Sequence, residues 1–202
     1  MSRWKQNMYV CLFGSFASSA ALSLVLPFLP LYIEQLGIHD ISGIEQWSGA
    51  AFGATFLMSA IIAPFWGKLA DQHGRKLMLI RASSGMTIIL TMMGFVHNVY
   101  ELTALRHLMG AISGYYPSAV ALVATQTPKE NSGGAMGMLS TGYVSGSLLG
   151  PLIGGWLAEL VGLRHVFYFT GQFMFLCFLV STIFVREQFS PQKGALLSNR
   201  QV

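Results

Sequence analysis

Long apolar runs alternate with short polar segments along this 202-residue chain. The first run extends from Met8 to Ile33, and no Asp, Glu, Lys or Arg lies between Lys5 and Glu34. Further runs cover Trp47 to Trp66, Leu77 to Val96, Leu102 to Thr125, Met136 to Ala158 and Val166 to Val185. Each is close to the ~20 residues an α-helix needs to cross a bilayer. The runs are continuous, unlike the roughly ten-residue alternations of a membrane barrel. The pattern predicts an all-α membrane protein, a six-transmembrane-helix bundle over residues 1–187 with a polar tail over 188–202. Gly and Pro inside the runs are no objection, because neighbouring helices and hydroxyls can satisfy freed backbone groups.

Composition points the same way. Charged residues make up 10% of the chain, against roughly 25% in soluble domains. Hydrophobic residues make up 53%, and the mean hydropathy is +0.54. A soluble fold of this size could not cover itself with so little charge. The net charge is +4, and no basic stripe with interleaved aromatics is present, so no nucleic-acid partner is expected. Cys11 and Cys177 both lie in apolar runs and read as buried free thiols. No metal-ligand spacing is present, and no metal or other cofactor is expected. The start "MSRWK" precedes a run too long for a signal-peptide core of about 7–15 residues, so an uncleaved first span is expected.

Positive charge orients the spans. Arg3, Lys5, Lys68, Arg75, Lys76, Lys129, Arg186, Lys193 and Arg200 fall on one set of connections, and only Arg164 falls on the other. The positive-inside rule places both termini and the 67–76 connection in the cytoplasm of a multi-pass cell-membrane protein. Arg81 and Arg106 remain inside spans. Arg81 lies one turn past Lys76 and reads as an arginine snorkelling to the headgroups.

The 67–76 connection, "GKLADQHGRK", is more specific than a positive turn requires. Gly67 and Gly74 permit a sharp reversal. Asp71 can cap the start of the third span or pair with Arg75. The spacing G-x-L-x-D-x-x-G-R-K-x-x-L, from Gly67 to Leu79, resembles the signature loop of the major facilitator superfamily. Gln72 stands where that family often has Arg. "LTALRHLMGAISG", Leu102 to Gly114, resembles the fourth-span motif of the proton-driven members, with Arg106 as its arginine and Met109 where those proteins often have Gln. "GYVSGSLLGPLIGG", Gly142 to Gly155, resembles the fifth-span motif of the drug:proton antiporter branch.

Physically, Gly142, Gly146, Gly150 and Gly154 recur every four residues and form one small helix face that permits close packing. Pro151 removes a backbone donor beside them, and Gly155 follows. The resemblance adds that this helix helps seal and orient a transport cavity. It also implies that Gly67, Asp71, Gly74, Arg75 and Lys76 form a conformational latch, with Asp71 contacting a helix of the other half in one state.

Arg106 sits one to two turns into the fourth span, where burying a charge still has a cost, though less than at the centre. Arg106 is therefore a candidate for proton coupling, with interfacial snorkelling as the bland alternative. No Asp or Glu lies mid-span, and Glu34 at the end of the first span is the nearest candidate proton carrier. Phe13, Phe16, Tyr32, Tyr115 and Tyr116 are candidate cavity-lining aromatics.

The family resemblance implies twelve helices in two six-helix bundles, with substrate between them. This chain supplies one bundle, followed by "EQFSPQKGALLSNRQV", which resembles the start of the family's central cytoplasmic linker. The expected function is proton-coupled efflux of drugs or other small amphipathic compounds, with this chain as the N-terminal half. Expected partners are the lipid bilayer, substrate and protons, and a C-terminal six-helix half or a second copy. A non-transporting membrane assembly subunit, or a carrier of another small metabolite, are the alternatives. No nucleophile–base pair points to an enzyme.

Overall fold

In the computed structural model, residues 3–187 are described, and the polar tail 188–202 lies outside them. The chain is helical: α1 (Arg3–Val25), α2 (Leu29–Gln35), α3 (Ile41–His73), α4 (Arg75–Met93), α5 (Val99–Ile112), α6 (Tyr115–Gln126), α7 (Ser132–Val161) and α8 (Leu163–Phe184). A single 3-10 turn, Lys129–Asn131, precedes α7. Six helical segments are long and apolar enough to cross a membrane, counting α5 and α6 together.

Two spans are broken where the sequence reading has them continuous. The first stops at Val25 and resumes at Leu29. Pro27 and Pro30 explain this, since proline lacks an amide donor and disfavours helix at the residue before it. The fourth breaks at Ser113–Gly114, where Gly114 adopts φ +119°, a conformation open mainly to glycine. Gly110 and Pro117 therefore lie on two separate helices and do not form one continuing face.

The 67–76 connection also differs from a two-glycine loop. α3 continues through Gly67 to His73, for a length of about 50 Å at 1.5 Å per residue. The reversal is confined to Gly74, at φ +93°, whose amide donates to the Ala70 carbonyl at 3.0 Å. Gly67 is an ordinary helical residue, and a Cβ there would meet nothing within 4 Å.

Caps fix the opposite connections. Asp40 accepts from the Gly43 amide at 2.6 Å and starts α3. Asn98 and Glu101 form a reciprocal pair at the start of α5: the Glu101 amide donates to Asn98 Oδ1 at 2.9 Å, and the His97 amide donates to Glu101 Oε2 at 2.9 Å.

α1 is the most enclosed span, and α3 and α7 are the least. The principal packings are α1 on α7, α4 on α8 and α3 on α5. On α7, Gly142, Gly146, Gly150 and Gly154 are all buried. They bring the α7 backbone against Leu12, Phe16, Ala20 and Leu24 of α1. Ser23 Oγ, which donates to the Ser19 carbonyl of its own helix at 2.9 Å, lies 3.3 Å from the Gly146 carbonyl across the contact. Gly155 lies beside this face, against the Phe28 ring, and Pro151 sits within the unbroken α7 helix.

Candidate functional site

The break in the fourth span opens onto a cavity of about 330 Å³. α1 contributes Ser18, Ser19, Leu22 and Ser23; α3 contributes Phe52, Thr55, Phe56 and Ser59. The broken segment Ser113–Pro117, Leu26 after α1, Met86 of α4 and, from α7, Tyr143 and Ser147 complete the wall with Arg106. Ser18 and Ser23 donate back to their own helix carbonyls, which leaves small polar surfaces without unpaired hydrogens. The serine recurrence in "SSAALS", residues 18–23, is the sequence signal for this face, outside any of the three motifs.

Arg106 carries the only formal charge among the lining residues. It is 3% exposed. Its guanidinium carbon lies 5.5 Å from the centroid of the Phe52 ring. Nε and Nη2 have no hydrogen-bond partner among the described residues. Its backbone carbonyl accepts from Thr55 Oγ1 at 3.1 Å, and Gly110, one turn on, packs against the Thr55 carbonyl. Only a glycine at 110 lets α3 and α5 approach so closely. The arginine is therefore enclosed within the bundle, not snorkelling to an edge. A desolvated, unpaired cation costs free energy, so its position points to use.

Arg81 departs from the snorkelling expectation. Its guanidinium carbon stacks 3.7 Å from the Trp66 ring centroid, and Nη2 donates to the Ser113 carbonyl at 3.2 Å. Trp66 Nε1 donates to the Ala111 carbonyl at 2.6 Å. Together they satisfy carbonyls freed at the C-terminus of α5, where a cation is favoured by the helix dipole. Both side chains line a second cavity of about 180 Å³, which shares Ser59, Ser113, Gly114 and Pro117 with the first and reaches Arg75.

The remaining predicted residues divide. Tyr116 stays at the pocket, its ring 4.4 Å from that of Tyr143 and its hydroxyl 3.3 Å from Ser140 Oγ. Tyr115 touches the pocket, but its ring turns into the core against Gly14 and its hydroxyl bonds Ser181 Oγ at 2.8 Å. Tyr32 is not at the pocket: it is fully buried and donates to the Met93 carbonyl at 2.8 Å. Phe13 packs edge-on against Phe173, 5.7 Å between centroids, also outside the pocket. Phe16 lines a separate apolar crevice between α1, α7 and α8. For Phe13 and Phe16, helical phase is a weak guide because most of α1 is buried. Glu34 is exposed on α2 and does not line the pocket.

At the α3–α4 turn, Asp71 pairs with Arg75, and Asp71 is largely exposed. Of the two local roles open to it, pairing is the one observed. The first amides of α4 are instead taken by Glu187, a residue the sequence reading did not single out.

The family description Major Facilitator Superfamily matches residues 11–199. The chain belongs to that superfamily. It is 54% identical over 200 residues to the multidrug resistance protein MdtG of Proteus mirabilis (strain HI4320), covering 98% of this chain and 50% of that protein. It is 52% identical over 200 residues to MdtG of Yersinia enterocolitica serotype O:8, covering 98% and 48%. The chain spans about half the length of the curated relatives it matches. The crystal structure of the human organic anion transporter MFSD10 (TETRAN) superposes with a TM-score of 0.82 at 19% identity, covering 96% of this chain and 50% of that one. The fold is thus that of a half-transporter bundle, and the family is one of membrane transporters and not of enzymes.

Proposed function

We propose that this chain forms the N-terminal six-helix half of a proton-coupled exporter of drugs and other amphipathic compounds. The observation that carries this reading is the serine- and aromatic-lined pocket with the enclosed Arg106 at the break of the fourth span. Broken helices at mid-membrane are where transporters build their substrate and ion sites. Aromatic walls suit the apolar body of an amphipathic compound, and the hydroxyls suit its polar groups. The similarity to MdtG proteins over half their length supports the substrate class and a second six-helix half, with a second copy of this chain as the alternative occupant.

The orientation belongs to the same proposal. α1's start, the α3–α4 turn and the end of α8 lie together, joined by Asn7–Arg186 and Arg75–Glu187 contacts. That end carries the Lys/Arg-rich connections, which supports a cytoplasmic orientation. A reporter fused after Glu187 is expected to give a cytoplasmic signal; a signal from the opposite side would reverse the assignment.

Arg106 is proposed to act in proton coupling by holding down the pKa of a carboxylate that faces it from the second half. Glu34 is too peripheral for this in the structure described. Arg106→Gln removes a costly buried charge, so membrane abundance should hold or rise. Proton-driven efflux, measured with a C-terminal half supplied, is expected to fall at least roughly tenfold, the effect of losing a charge-assisted contact. Unchanged efflux would remove Arg106 from the mechanism. The unpaired guanidinium favours a second reading, in which it binds an acidic group on the substrate. In that case the variant loses acidic compounds selectively, whereas a coupling role slows all substrates alike.

A further inference from the structure

The segment that leaves α8 is tied to three other elements. Arg186 exchanges two backbone hydrogen bonds with the Asn7 side chain of α1: Asn7 Nδ2 donates to its carbonyl at 2.7 Å, and its amide donates to Asn7 Oδ1 at 3.0 Å. Asn7 is 2% exposed and also donates to the Gln126 side chain at the end of α6. This bonding delivers the next residue, Glu187, to the start of α4. There the two carboxylate oxygens accept from the Arg75 amide at 2.9 Å and the Lys76 amide at 2.7 Å.

α4 has no cap of its own, because its N-cap residue is Gly74. The helix begins directly after a one-residue reversal, so its first amides have no intrahelical acceptor. A carboxylate at that place is favoured by both the free amides and the helix dipole. Arg75 is held at its backbone by Glu187, while its side chain holds Asp71.

We propose that Glu187 is a positioning residue for the latch at the α3–α4 turn. It fixes the first turn of α4, and through it the direction in which Arg75 presents Asp71. The turn and the chain leaving the bundle then move as one unit, so a change of state at the turn is transmitted to whatever follows residue 187. This rests on the reading of Asp71 as a latch.

The test uses Glu187→Gln, which keeps size and removes charge, Glu187→Asp, which keeps charge, and Asp71→Asn. Amide exchange is measured on the full 202-residue chain in lipid, and efflux on the chain with a C-terminal half supplied. Glu187→Gln is expected to speed exchange at Arg75 and Lys76 by roughly 2- to 30-fold, the range for loss of a helix cap. It should slow efflux at unchanged abundance, with Glu187→Asp in between. The double variant with Asp71→Asn should be no slower than Asp71→Asn alone, because both act on one device. Unchanged exchange, equal deficits for Gln and Asp, or deficits that multiply in the double variant would each overturn the proposal. Slow efflux for Asp71→Asn with normal efflux for Glu187→Gln overturns it alone; normal efflux for Asp71→Asn overturns the latch reading together with it.

Discussion

Gly146→Leu is expected to remove most of the folded chain from the membrane, whereas Leu149→Ala leaves its abundance near normal. A Cβ at position 146 would run into the Phe16 carbonyl oxygen and come within 3.0 Å of the Ala20 amide nitrogen. Both obstacles are backbone of α1, so no side-chain rotation can relieve them. Overpacking a tight core costs about 1–3 kcal/mol when neighbours can yield, and more when they cannot. The same displacement separates the Gly146 carbonyl from Ser23 Oγ, now 3.3 Å away. Since α1 is the most enclosed span, moving α7 off it unseats the centre of the bundle. Leu149 is 44% exposed, away from this contact. Membrane abundance and the thermal midpoint in detergent check the pair. Equal values for both variants would mean that the two helices do not meet along this face.

The second large effect is expected from Asp71→Asn. If the α3–α4 turn only anchors topology, the change is silent, because Lys68, Arg75 and Lys76 keep that end positive. As a latch, the exposed carboxylate has a partner that favours one of two states. Losing a charge-assisted contact is worth about 1.5–3 kcal/mol, roughly a 10- to 150-fold shift between them. Within this half the loss is small, since the Asp71–Arg75 pair is an exposed i,i+4 pair and such pairs contribute about 0.3–0.5 kcal/mol. Abundance should therefore stay normal while efflux drops strongly. The measurement needs a C-terminal half supplied, with membrane abundance and proton-driven dye efflux read together. Normal values of both would reduce the turn to a positively charged anchor.

Adjacent residues show where reading a sequence stops. Tyr115 and Tyr116 look alike in the chain, yet one buries its ring against Gly14 and the other faces the pocket with Tyr143. The break at Gly114 decides this, because it resets the phase of α6 relative to α5. Arg81 and Arg106 likewise both read as arginines near a span's start. One caps the broken end of α5 beside Trp66, and the other is enclosed at the pocket, its Nε and Nη2 without a hydrogen-bond partner among the described residues. Helical phase carried over from flanking segments cannot anticipate either outcome once the helix is interrupted.

By itself, the sequence determined the membrane class, the six helical spans and the family. These follow from local quantities: run length, hydropathy, and glycine and charge spacing within a few residues. The α7 glycine face was legible for the same reason, since a period of four is a property of one helix. Tertiary structure alone decided which α1 serines line the pocket, what holds Arg81, and that Glu187 caps a helix beginning 112 residues earlier. Each of those depends on how separate helices pack. A helix pattern states which residues share a face, but only packing states what that face meets.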